Sequence, residues 1–311
     1  MAERNLQYRV TSGRYTLPAA LLVAALCRLA AQSELSVPAW GLWGGLLVHI
    51  LTAGLLIGLN NAYGLIRQRA SFQSAVYLLL VSLCPDLYGL RVGHVAGLAV
   101  TGSLFFLFRG YRSPSASVDL FLSVACLGVG CLVVPSLVFF LPLYWIGAYT
   151  LQALTARSFF GSLLGWMFPF WFLLGHAWFY GEMELFTAPF KEMAEFTPLF
   201  QGLGYGRWGT IGYLFLLFLV AGSHTLLHGL EEKIRTRCCL RFLVLLGICL
   251  FVAIILQPGL YADLLPALAV CISILAGHLF VWTRGRAANV FFIIALLAGF
   301  VLYLVNLWML F

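Results

Sequence analysis

The chain has 311 residues, of which 62% are apolar and only 9% charged, with a mean hydropathy of +0.98. An ordinary soluble domain carries about 25% charged residues, so this composition excludes a soluble enzyme, a disordered protein and a secreted disulfide scaffold. The net charge of +7 is spread over many short loops, as orientation signals are, and does not mark a nucleic-acid surface. The expected class is all-α: one polytopic transmembrane bundle over residues 1–311.

A helix needs about 20 apolar residues to cross some 30 Å of hydrocarbon. In chain order, the apolar runs predict spans at 15–31, 40–60, 71–85, 92–108, 117–134, 136–153, 158–180, 209–228, 240–257, 263–283 and 287–309. The first follows Arg4, Arg9 and Arg14 and contains Arg28. It reads as an uncleaved span rather than a signal peptide, with Arg28 reaching out to the far interface. The third ends at Cys84-Pro85-Asp86 and is short. The continuous run 117–153 is too long for one crossing and breaks at Pro135, which cannot donate to a helix ladder.

Charge fixes the parity of these eleven spans. With the N-terminus inside, 14 basic residues face inward: Arg4, Arg9, Arg14, Arg67, Arg69, Arg109, Arg112, Arg157, Lys233, Arg235, Arg237, Arg241, Arg284 and Arg286. Four face outward: Arg28, Arg91, Lys191 and Arg207. The positive-inside rule therefore favours two crossings in 117–153 and an outer C-terminus, in a bacterial inner membrane. Trp40, Trp43, Trp178, Trp208 and Trp308 fall near outer interfaces as an aromatic belt. The largest outer loop, about 181–208, mixes Glu182, Glu184, Glu192 and Glu195 with Phe186, Phe190, Phe196, Phe200, Tyr205 and Trp208. Pro189 and Pro198 divide it, and 188–196 could lie on the membrane as an amphipathic helix. The first outer loop offers only Glu34. LLGHAWFYG at 173–181 and LAGHLFVWT at 275–283 lie in oppositely directed spans, but matches of this length arise by chance in so apolar a chain.

Two constellations carry chemistry. On the outer side, Asp86, Arg91 and His94 accompany spans 3 and 4, and His176, Tyr180, Glu182 and Glu184 end span 7. Asp86 is a candidate general base, Arg91 a phosphate holder, and His176, Tyr180, Glu182 and Glu184 candidate sugar contacts; the alternative is solvated interface residues. On the inner side, His224 and His228 share one helix face, followed by Glu231 and Glu232, with His278 at a similar depth. His49 lies near the midplane and His94 and His176 near the outer face, so no four-histidine metal site is expected and no cofactor is implied. Asn60 and Asn61 end span 2 as a helix cap or a polar inner gate. Asp119 suits the N-terminus of span 5. The eight cysteines form no CxxC pair and read as buried thiols, Cys238 and Cys239 in a basic loop excepted.

The strings LIGLNNAYGLIRQRASFQSAVYLLLVSLCPDLYG, SLFFLFRGYR, PLYWIGAYTLQALTARSFFGSLLGWMFPFWFLLGHAWFYG and EEKIRTR resemble a family of polytopic membrane proteins of unknown function from Bacteroidota, over about 8–305. That resemblance implies the architecture and no activity. The carotene-cleaving oxygenase activity attached to some of its members would need iron held by histidines at one depth. Segment 118–180 has the rhythm of multi-pass glycosyltransferases that use polyprenyl-phosphate sugars: a glycine-containing span, a proline break, a second span, Arg157, then a long span ending in an aromatic outer loop. Those enzymes carry paired acids in their first outer loops, where this chain offers Glu34 and Asp86 singly. The likeness implies membrane lipid and a polyprenyl-linked substrate as partners, with no nucleic acid; a transporter or membrane scaffold is the alternative class.

Overall fold

The computed structural model describes residues 6–32, 37–66, 71–194, 203–228, 231–283 and 285–308. The expectations placed on Arg4, Glu34, Arg67, Arg69, Glu195, Phe196, Pro198, Phe200 and Arg284 lie outside these residues. Among the described residues the chain is all-helical, without strands. Thirteen α-helices follow one another: α1 (Leu6–Ser12), α2 (Thr16–Ala31), α3 (Ala39–Tyr63), α4 (Phe72–Ser82), α5 (Val92–Arg109), α6 (Ala116–Val133), α7 (Leu141–Thr150), α8 (Ala156–Tyr180), α9 (Met183–Ala194), α10 (Tyr205–His228), α11 (Ile234–Leu256), α12 (Tyr261–Trp282) and α13 (Arg286–Trp308). Eight are long and apolar enough to cross a membrane, nine when α1 and α2, bent by 94°, count as one span. The molecule is a multi-pass α-helical membrane protein.

Three of the eleven expected spans are therefore not long straight helices. α2 follows a sharp bend. α4 has 11 residues, about 16 Å of rise, because Pro85 opens a separate 3-10 turn over Pro85–Leu87. The expected span 136–153 is a 3-10 stretch, Pro135–Phe140, continued by α7. The proline break thus falls at the expected place, and the steeper rise of a 3-10 helix, about 2 Å per residue, lengthens the segment.

The chain forms two compact units. The first comprises 1–91, 202–247 and 268–311, the second 92–201 and 248–267. In the first unit α3 and α4 run antiparallel: Gln73 donates to the Leu56 carbonyl, Ser74 Oγ to the Ala53 carbonyl at 2.7 Å, and His49 Nδ1 meets the Tyr77 hydroxyl at 2.8 Å. Contacts at one end of this unit join residues early and late in the chain. Gln7 Nε2 donates to the carbonyls of Phe280 and Thr283, at 2.7 and 2.8 Å. Arg235 lies over the Tyr63 ring. At the other end Leu90 N donates to the Gly41 carbonyl at 3.0 Å, and Asn306 Nδ2 donates to the Leu83 carbonyl at 2.9 Å and to Thr210 Oγ1 at 3.0 Å. Asn60 is the cap the sequence offers: its Oδ1 accepts from Ile66 N at 2.8 Å, and Gly64 turns the chain at φ +59°.

In the second unit small residues set the spacing of helices. A Cβ on Gly161 would meet the Ser117 carbonyl at 3.2 Å, one on Gly165 would overlap the Phe121 carbonyl, and Pro169 sits against Gly128. These pairings advance together along both chains, so α6 and α8 are parallel. Two parallel helices need a returning segment between them, and 135–150 is that segment: Leu151 O accepts from Arg112 N at 3.3 Å, back beside the start of α6. Gly93 and Gly97, one turn apart on α5, likewise admit Ala262, Asp263 and Pro266 of α12, the small-xxx-small device of membrane helices. Asp119, fully buried in the first turn of α6, accepts from Arg109 Nε at 2.6 Å and Ser115 Oγ at 3.2 Å, the structural role expected of it. Gly165→Leu should destabilise the protein by about 1–3 kcal/mol through overpacking, read as earlier unfolding in detergent by circular dichroism; Gly175→Leu, where a Cβ meets nothing within 4 Å, should leave it unchanged.

Candidate functional site

The outer constellation divides between the two units. Asp86 and Arg91 belong to the first; His94, His176, Tyr180, Glu182 and Glu184 belong to the second. Pro85 starts the 3-10 turn that presents Asp86, and the carboxylate takes a two-pronged contact from Arg207, Nε at 3.1 Å and Nη2 at 2.9 Å. This pair is partly exposed. The partner was not foreseen, since 121 residues separate the two; their assignment to the same side was the only signal. As a base, Asp86 would first have to part from Arg207. Arg91 is exposed and His94 is buried, the latter in the first turn of α5.

His176 and Tyr180 form an exposed ring ladder one turn apart at the end of α8, centroids 4.6 Å apart. Gly181, at φ +71°, reverses the chain. Glu182 and Glu184 follow, exposed, with Glu184 Oε1 3.7 Å from Lys191 Nζ. Pro189 does not divide this segment. It sits inside α9, which Phe186 and Phe190 anchor by packing on each other and on Phe170. The amphipathic helix expected over 188–196 thus begins earlier, at Met183. Trp40, Trp43, Trp178, Trp208 and Trp308 are all exposed, as a belt requires.

The inner histidines do meet. His224 and His228 stack at 4.5 Å, His224 lies 6.0 Å from His278, and Trp282 packs edgewise on His224 at 5.6 Å. Glu232 accepts from Trp282 Nε1 at 3.0 Å and lies 3.7 Å from His278 Nε2. His49 stands apart with Tyr77. Among the described residues no three His, Cys, Asp or Glu side chains converge to hold a metal. Cys238 and Cys239 are not in a loop: α11 begins at Ile234, so both lie in its first turns and Cys239 is fully buried. The cause is that the basic residues of 233–241 continue into the helix.

Two features escaped the sequence reading. The first is the burial of Arg28: instead of extending outward its side chain is 1% exposed, over the ring of Tyr88 at 4.9 Å. The second is a cavity of about 220 Å³ in the first unit, lined by Cys27, Phe72, Leu79, Tyr213, Phe292 and Tyr303 among others, nearly all carbon. Neither has a linear motif, because the lining comes from α1, α2, α4, α10, α12 and α13.

No family model, curated protein or solved structure matches the chain.

The ion pair gives a measurable prediction. Asp86→Asn and Arg207→Ala should each cost about 1 kcal/mol or less, as exposed pairs do. A double-mutant cycle on detergent unfolding should find them non-additive; strict additivity would separate the two residues.

Proposed function

We propose that this protein handles a lipid-linked precursor of the cell envelope at the outer leaflet of a bacterial inner membrane, binding the lipid and presenting its head group for transfer or translocation. The observation that carries this reading is the apolar cavity of the first unit, sized and lined for a hydrocarbon chain. The exposed ladder of His176 and Tyr180 with Glu182 and Glu184 suits a sugar, since aromatic faces stack on sugar rings and carboxylates accept from hydroxyls. Asp86 is engaged with Arg207, which favours binding and passage over catalysis by this carboxylate. If it is an enzyme, a glycosyl transfer using Asp86 requires the Arg207 pair to open, with Arg91 holding the phosphate. A scaffold offers no reason for the cavity.

An eleven-span topology with the N-terminus inside and the C-terminus outside underlies this assignment. What supports it is the 14-to-4 split of basic residues, which disappears if only the eight long helices cross. Further support comes from contacts that keep residues 7, 63, 235, 280 and 283 at one end of the first unit and 41, 83, 90, 210 and 306 at the other. The parallel run of α6 and α8 supports a crossing at 135–150.

Two measurements test the proposal. Impermeant thiol reagents in cells with a permeabilised outer membrane should label Glu184→Cys and not Lys233→Cys in a cysteine-free background; the reverse pattern overturns the orientation. Deleting the gene should change the lipid-linked intermediates and surface glycans, with rescue by the wild type and weakened rescue by Glu182→Gln. An unchanged glycolipid profile in the deletion strain refutes the function. Full rescue by Asp86→Asn removes that carboxylate from the chemistry.

A further inference from the structure

Among the described residues Arg28 presents a charge without a countercharge. Its side chain is buried three residues before the end of α2; Nη1 donates to the Ala24 carbonyl at 3.1 Å, while Nε and Nη2 have no hydrogen-bond partner. Among the described residues no carboxylate forms an ion pair with it, and the ring beneath the guanidinium is that of neutral Tyr88. A guanidinium carries five N–H donors and does not shed its proton in a protein. An ion withdrawn from water without a partner is costly, and the cation–π contact with Tyr88 offsets only part of that cost. The remaining donors call for an anion.

The surroundings indicate its kind. Cys27, next in the chain, lines the cavity, and Cys27 and Tyr303 pack against Tyr88. Tyr303 also lines the cavity, so Tyr88, Cys27 and Tyr303 make a short polar rim joining the guanidinium to an apolar chamber. Val23, Leu296 and Phe300 line the chamber and are exposed on the flank of the bundle, which opens it sideways to lipid. A fixed cation beside a carbon-lined slot with a lateral entrance matches an anionic head on a hydrocarbon chain. Arginine's planar fork matches phosphate oxygens two at a time.

We infer that Arg28 binds the phosphate of a membrane lipid whose hydrocarbon chain occupies the cavity between α2, α4, α10 and α13. The inference rests on the lipid-handling reading above and gives it a head-group chemistry and a residue. The phosphate enters beside Tyr88, takes the Nε and Nη2 donors of Arg28, and displaces no existing ion pair.

The test uses purified, delipidated full-length protein in nonionic detergent, followed by native mass spectrometry and thermal unfolding. Four probes are compared: phosphatidylglycerol, a long-chain isoprenoid phosphate, diacylglycerol with the same acyl chains, and inorganic phosphate. One phosphate lipid should be retained and should raise the unfolding temperature; diacylglycerol and inorganic phosphate should do neither. Arg28→Met should bind the phosphate lipids about tenfold more weakly or worse. It should unfold no earlier than wild type without lipid, since it removes an uncompensated charge. Val76→Trp, which fills the cavity and leaves Arg28 in place, should also lose binding. Equal retention of diacylglycerol makes the site a hydrocarbon slot only, and an equal response to inorganic phosphate makes it a free-anion site; either overturns the inference, as does unaltered binding in Arg28→Met. If Arg28→Met fails to fold, the wild-type probe comparison and Val76→Trp still decide. Retention of phosphate lipid together with an unchanged glycolipid profile in the deletion strain would keep this site and discard the envelope function.

Discussion

A polar group withdrawn from water has to be answered from within the chain, and in a protein with so few charges that demand organises nearly everything else. The backbone answers itself by forming helices. Serine and threonine hydroxyls in the helices turn back to carbonyls three or four residues earlier, as Thr52, Ser82, Thr101, Thr225 and Ser273 do. Longer side chains reach across: Gln7 closes α1 onto the end of α12, Asn306 ties α13 to α10, and Arg109 neutralises Asp119. Arg28 is one of the places where this internal answering falls short, and it does so near an apolar cavity of the first unit.

Once polar groups are answered, the helices have little left to attract them but contact at short range. Lipid tails are as apolar as leucine, so burial of side chains gives no net drive. Glycine provides the alternative by letting backbones approach. Gly161 and Gly165 on α8, Gly128 on α6, and Gly93 and Gly97 on α5 stand where any Cβ would press on a neighbouring backbone or ring. That packing keeps α6 and α8 parallel, and the parallel arrangement in turn obliges residues 135–150 to double back.

The two constellations read from the sequence fare differently in space. His224, His228 and His278 come together as their shared depth suggested, with Glu232 and Trp282 completing the group. Asp86 takes as its partner a residue never considered for it, Arg207. The ladder of His176 and Tyr180 was legible because residues four apart share a helix face. The pairing of Asp86 with Arg207 was not, because nothing in a linear sequence measures distance between loops 121 residues apart.

Hydrophobic run lengths alone indicated the helical class and located the eight long apolar helices, with ends up to six residues off at α11, since a chain crossing lipid must hide its backbone locally and does so in continuous apolar stretches. Pro135 marked its own break, because a missing N–H is a property of the residue and not of its neighbours. Asn60 and Gly64 marked a helix end for the same reason. What only the tertiary structure decided was which helices meet, that α4 and α7 are short, that Arg28 turns inward to Tyr88, and that six helices leave a cavity among them. Those outcomes depend on which side chains face each other across helices, and helices uniformly apolar on all sides carry almost no directional pattern to reveal it.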